Sequence, residues 1–278
     1  MKKTYTIKDF FEICNARRSS FSHDSRKISY LSDISGTQQI YIADISSGDT
    51  AQLTTYDDQV DFANFSPGKN QLIYGKSEKG NQKTQFYLYD VNSKQTRRLT
   101  HKSNCIYRWH GWSMDGARIT YSSNERNGVD FDVYVMELKT DKSRIVFRKG
   151  DWCESYGFSP SGTKMITRHR TSLSEHNLFI VDIDKATSTP LTSDSKLAEY
   201  DFVYWEPDEK GFYCVSNTNR DIKGVCHVDV EANTKEYVIE PEWEVYEIAL
   251  SLDGKKLAVV TNEDGYGSLE MYETSSFR

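Results

Sequence analysis

Long apolar runs are missing from this 278-residue chain. No stretch approaches the roughly 20 apolar residues a membrane-crossing helix needs. The basic start Met1-Lys2-Lys3 is not followed by the apolar core of a signal peptide. No membrane partner is expected. Cysteine is scarce: Cys14, Cys105, Cys153, Cys214 and Cys226 are scattered, odd in number and never spaced Cys-x-x-Cys. This pattern predicts free thiols in a reducing cytoplasm rather than a disulfide framework, with Cys214 and Cys226 as small buried apolar residues. Positive charge is not in excess, since 35 Lys and Arg face 41 Asp and Glu for a net charge of −6, which argues against a nucleic-acid partner. The basic run Arg168-His169-Arg170 reads as the solvated end of a strand. Only five prolines occur, and three of them, Pro67, Pro160 and Pro207, recur at one place in a repeat.

That repeat dominates the chain. A block of the form apolar-Ser, turn, apolar-x-Tyr, with Glu206 in the serine's place in the fifth copy and the tyrosine kept in the first three, begins at Phe21, Phe65, Trp112, Phe158, Trp205 and Leu250, at intervals of 44 to 47 residues. A fixed period of this size marks one supersecondary unit stacked on itself. In the second unit, residues 60–66, 71–76, 86–91 and 96–100 read as four short strands separated by turns rich in Gly, Pro, Asn and Ser. Four strands in about 45 residues is a propeller blade. The third strands, at 40–44, 86–90, 133–137, 178–182, 225–229 and 269–273, align without a gap and all end in an acid. The acid is expected to accept N–H bonds from the turn that follows. The fold class is therefore all-β, a β-propeller with six recognisable four-stranded blades over residues 15–278. Residues 1–14 stand outside the period, as a short helix started by Thr6 and Asp9 or as a strand closing the incomplete sixth blade.

Catalytic motifs are hard to find. Gly157-Phe158-Ser159-Pro160-Ser161-Gly162 approaches a serine-hydrolase elbow, but its second glycine is one place late and it lies at the repeat's hairpin turn. No Gly-rich phosphate loop is present. The six histidines show no His-Glu-x-x-His spacing, although histidines from different blades could still converge on a central channel. Asp130-Phe131-Asp132 after Asn124-Glu125-Arg126-Asn127-Gly128 lacks the further ligands of an EF-hand and reads as a polar loop. No catalytic residue, metal ligand or cofactor is expected. Asp151 and Glu154, beside Trp152 ahead of an inner strand, are the candidates to meet a peptide amine.

Several stretches carry a resemblance. Residues 158–162, with Leu99-Thr100 and Leu191-Thr192, resemble the repeat of TolB and of the propellers of prolyl oligopeptidase-type serine peptidases. Residues 122–134 look like the "SN-R-G-DFD-Y" stretch of the peptidase propellers. Residues 260–269 resemble the "NEDG-S-L" stretch common in acylaminoacyl-peptidase-like members of this acylaminoacyl-peptidase/dipeptidyl-peptidase-like family, and residues 5–11 resemble the family's opening. The resemblance implies an N-terminal propeller that caps a C-terminal α/β-hydrolase domain, restricts access to short or unstructured peptides, and in some members holds the peptide's amino end. The triad of such enzymes lies in the hydrolase, and no residue here matches it. Family propellers usually have more blades than six. The expectation is a non-catalytic propeller, as a fragment or a truncated gene product, whose partner is a peptide substrate or a hydrolase domain. A stand-alone TolB-like interaction module is the alternative, and a propeller enzyme with a metal in its channel is the third reading.

Overall fold

The computed structural model describes residues 5–192 and 198–277; residues 1–4 of the N-terminal segment and Arg278 lie outside them. The described residues form 23 strands and one short helix. The strands make six antiparallel sheets, and in each the spatial order of strands follows the order of the chain. This is the expected all-β, bladed architecture. Contacts divide the chain into two compact units, Met1–Arg108 and Trp109–Arg278.

In the first unit, helix α1 (Ile7–Phe11) is started by a capping box, in which Thr6 and Asp9 each bond the other's backbone N–H, and it buries no side chain. The first blade follows as β1 (Ala16–Phe21), β2 (Lys27–Ser32), β3 (Gln39–Asp44) and β4 (Thr50–Gln52). The second is β5 (Val60–Phe65), β6 (Gln71–Lys76), β7 (Gln85–Asp90) and β8 (Gln95–Arg98). Leu31 and Ile40 of the first sheet pack on Val60, Ala63 and Phe65 of the second. The core thus lies between sheets, which is why both faces of these strands carry apolar residues.

The third blade is β9 (Tyr107–Trp112), β10 (Arg118–Ser123), β11 (Asp132–Glu137) and β12 (Lys142–Phe147). The fourth is β13 (Trp152–Phe158), β14 (Lys164–Arg170), β15 (His176–Asp182) and β16 (Thr187–Pro190). The fifth is β17 (Tyr200–Trp205), β18 (Gly211–Ser216), β19 (Gly224–Asp229) and β20 (Thr234–Ile239). The sixth has three strands, β21 (Val245–Leu250), β22 (Lys256–Glu263) and β23 (Tyr266–Glu273). Separate apolar cores join the third blade to the fourth around Val133 and Met165, the fourth to the fifth around Ile166 and Phe212, and the fifth to the sixth around Val215 and Val259.

The repeated residues have repeated jobs. The serine that opens every block but the fifth, where Glu206 stands, lies at the first hairpin. The hydroxyls of Ser22, Ser113, Ser159 and Ser251 accept the N–H of Lys27, Arg118, Lys164 and Lys256 at 3.0, 2.9, 3.2 and 2.9 Å. The acid closing the third strand binds the next turn, as its position suggests. Asp44, Asp90, Asp182 and Asp229 accept N–H bonds from Ser46, Ser93, Lys185 and Ala232 at 2.9, 2.9, 3.0 and 2.7 Å. At Glu137 and Glu273 the main-chain carbonyl takes that part instead. The first strands of the first, second, fourth, fifth and sixth blades each carry a register shift against their partner. Such bulges increase the local twist and re-aim side chains along the edge strand.

Candidate functional site

Strand β13 presents Trp152, Glu154 and Tyr156 on one face, as alternation requires. Its ladder with β14 sets Trp152 opposite Arg170 and Glu154 opposite Arg168. Both pairs are made. The Arg170 guanidinium lies over the Trp152 ring at 5.7 Å, and that of Arg168 over the Tyr156 ring at 5.3 Å. Arg168 donates to Glu154 Oε2 through Nε at 3.1 Å and again through a terminal nitrogen. Its other nitrogen donates to Asp201 Oδ1 at 2.6 Å and to the Tyr200 carbonyl at 2.9 Å, which ties the fourth blade to the fifth. Lys223 extends the network to Glu199 at 2.7 Å and Asp201 at 3.1 Å. The Arg168 side chain is only 11 % exposed. This corrects the reading of Arg168 as solvated.

Burial alone would raise the carboxyls of Glu154 and Asp201. Arg168, joined at Asp201 by Lys223, outweighs it and holds both below their ordinary values. His176 lies against the same arginine. Its Nδ1 accepts the Tyr200 N–H at 3.1 Å and its Nε2 donates to the Leu173 carbonyl at 3.1 Å. The ring is therefore neutral, and burial with Arg168 and Arg170 nearby lowers its pKa, against the opposing pull of Asp201 and Glu199.

Asp151 does not join Glu154. It adopts φ 51° directly after Gly150 at φ 86°, and its carboxylate turns outward, 69 % exposed and 3.5 Å from His169. Its carbonyl accepts the Phe131 N–H at 2.9 Å, and Phe131 in turn accepts the Cys153 N–H at 2.9 Å. This short parallel bridge lays the ring of Phe131 on that of Trp152, with centroids 4.5 Å apart and planes at 19°. Around the stacked rings opens a cleft of about 430 Å3, with Asp130, Asp151 and Arg170 as its charged groups and Val129 and Leu173 as its apolar rim. Val129 and Leu173 are 74 % and 82 % exposed.

The loop that carries Asp130 is built by its own residues. Arg126 pairs with Asp130 at 2.9 Å and with the fully buried Asp132. Asn127 Oδ1 accepts the N–H groups of Val129 and Asp130 at 3.0 and 2.9 Å. A guanidinium thus stands where a calcium ion would have been needed. Hydrogen bonds from Asn127 and Arg126 keep the Asp130 carboxyl below its ordinary value, so the rim is anionic at neutral pH.

The elbow-like run at residues 157–162 is a hairpin turn. Ser159 is fully buried and accepts from Lys164, with Ser161 as its hydroxyl neighbour at 3.3 Å. Among the described residues, no histidine is bonded to it. Among the described residues, no group of three His, Cys, Asp or Glu is placed to hold a metal ion. Cys153 is buried, and its thiol is pushed up to about 12. The arrangement can bind through carboxylates, stacked rings and an apolar rim, and it presents no activated nucleophile.

The model of the prolyl oligopeptidase N-terminal β-propeller domain matches residues 57–277. The Tol-Pal system protein TolB of Francisella tularensis subsp. mediasiatica is 21 % identical over 232 residues, covering 81 % of this chain and 53 % of that protein. The chain thus spans about half the length of the curated relatives it matches. Among solved structures, an oligogalacturonate lyase in complex with manganese superposes with a TM-score of 0.77 at 13 % identity, over 95 % of this chain and 76 % of the lyase. A prolyl endopeptidase superposes with a TM-score of 0.76 at 15 % identity, over 96 % of this chain and 42 % of the endopeptidase. At such identities the superpositions speak for the fold.

Proposed function

This chain belongs to the prolyl oligopeptidase N-terminal β-propeller family, and from that membership we propose that it is a non-catalytic propeller that receives short peptides for an α/β-hydrolase domain outside these 278 residues. The observation that carries the reading is the Phe131–Trp152 cleft with Asp130 and Asp151 at its rim. A peptide amine pairs with a rim carboxylate, while an apolar side chain rests between the stacked rings and Leu173. The Arg168 network does not touch the peptide. It fixes β13 and, through His176, the loop that carries Leu173. The five free cysteines fit a cytoplasmic setting.

The test is binding of a short apolar peptide, with a free or an acetylated amino end, followed by tryptophan fluorescence. Saturable binding that favours the free amine and weakens in Asp151→Asn supports the reading. Equal binding of the two peptides, or none, overturns it. The TolB relatives favour a second reading, a stand-alone protein-interaction module. Under it, the free amine brings no advantage.

A further inference from the structure

The residue at the end of the second strand keeps one character through the repeat, with one exception. At this position of the block stand Asp33, Ser77, Asn124, Asn217 and Asn262 in the first, second, third, fifth and sixth blades, and Arg170 in the fourth. The short polar residues serve their own blades. Asp33 Oδ1 and Asn217 Oδ1 accept the N–H of Asn15 and Glu199, just ahead of the first strand, at 2.7 and 2.8 Å. Asn124 and Asn262 close the loop that follows them. The Asn124 amide donates to the Gly128 carbonyl and Asn262 Oδ1 accepts the Gly265 N–H, both at 3.0 Å. An arginine carries donors only, so it cannot do the work of Asp33, Asn217 or Asn262. Where a residue breaks a repeat rule with no local gain, function is the usual reason.

Arg170 lines the Phe131–Trp152 cleft instead. Its guanidinium lies over the Trp152 ring at 5.7 Å. On its other side in the sheet stands His176, whose ring is neutral. The carboxylates of the cleft are turned to other partners, Asp130 to Arg126 at 2.9 Å and Asp151 to His169 at 3.5 Å. Among the described residues no carboxylate pairs with Arg170. A half-buried guanidinium stacked on a ring keeps its in-plane N–H fork for a planar acceptor, and a carboxylate matches that fork.

We propose that Arg170 receives the C-terminal carboxylate of the peptide, so that the cleft reads both ends of a dipeptide or tripeptide. The amine end rests on the peptide-receiving reading above, and the carboxylate end rests on Arg170. A cleft of about 430 Å3 is small among ligand pockets, which run to roughly 300–1,000 Å3. A ligand that fills it is short, and its two charged ends meet opposite charges in one cleft. A longer peptide puts an uncharged amide at Arg170 and loses that pair.

The test is calorimetric titration of the 278-residue chain with one apolar tripeptide in three forms: both ends free, the carboxyl end amidated, and the amino end acetylated. Amidation should weaken binding roughly tenfold or more, the worth of a charge-assisted pair. In Arg170→Gln the free acid should bind as weakly as the amide binds wild type, and amidation should cost nothing further. Arg170→Lys keeps the charge and should retain part of the discrimination. An amidated tripeptide with a glutamate side chain should stay weak, which separates a chain end from an acidic side chain. Equal affinity of acid and amide for wild type would overturn the proposal. So would an amidation penalty that survives in Arg170→Gln, tight binding of the glutamate amide, or no saturable binding of any form. Acetylation tests the amine end and amidation the carboxylate end, so the peptide-receiving reading and this one fail separately.

Discussion

Arg168 and Glu154 face each other across the β13–β14 ladder, and the same guanidinium reaches Asp201 on β17. One side chain thus neutralises two carboxylates from neighbouring blades. Replacing it by methionine keeps the apolar stem and removes the charge. The substitution should cost about 2–4 kcal/mol, because it leaves Glu154 without its ion-pair partner and Asp201 with Lys223 alone. Arg168→Lys should recover part of this, since an ammonium cannot reproduce the forked geometry. Urea denaturation measures both, and equal stability of Arg168→Met and wild type would contradict the role assigned to the network.

The same network sets a pH dependence at acid pH. Glu154 and Asp201 titrate below their unfolded values, so the stability they contribute is fully present above the unfolded carboxylate pKa of about 4 and is lost as pH falls through the lower folded values. His176 acts over a higher window. Its folded pKa lies below the ordinary histidine value of 6.5, so below that pH the unfolded chain binds a proton that the folded chain does not. Stability should therefore fall as pH drops from 7 to below 6.5. A His176→Gln variant should lose that slope while keeping the steeper one at acid pH. Denaturation midpoints taken between pH 4 and 7.5 separate the two.

Much of this was legible in the repeat. The period, the turn serine and the acid that closes the third strand each follow from aligned residues, and the structure gives them the same work in blade after blade. Arg168 reads as solvated among its basic neighbours, and only its repeat position sets it apart. In that column the other blades have Leu31, Gly75, Ser122, Val215 and Val260. A charge among small and apolar residues marks an interior position that needs a partner. The Phe131–Trp152 stack had no such signal, because it joins two blades through a short parallel bridge. Asp151 and Glu154 are close in sequence, yet the left-handed turn at Asp151 sends their carboxylates apart.

Ser159 gives a test of the missing nucleophile. Its hydroxyl is buried and accepts the Lys164 N–H at 3.2 Å. Ser159→Ala should cost about 1 kcal/mol, the typical net worth of one hydrogen bond. A fluorophosphonate probe should label neither wild type nor variant. Labelling that disappears in Ser159→Ala would mean the turn serine is activated after all.

Arg126 links stability to the cleft. It is 29 % exposed, while the Asp132 carboxylate it holds is fully buried and its second partner, Asp130, lies on the cleft rim. Arg126→Gln keeps a donor but removes the charge that pairs with the Asp132 carboxylate. The buried carboxylate then loses its ion-pair partner, and stability should fall. The loop carrying Val129 and Asp130 loses its clamp in the same step. Affinity for the free-amine peptide should therefore fall together with stability. If peptide affinity held while stability fell, the loop would not be part of the site, and the cleft would have to work through Asp151 and the stacked rings alone.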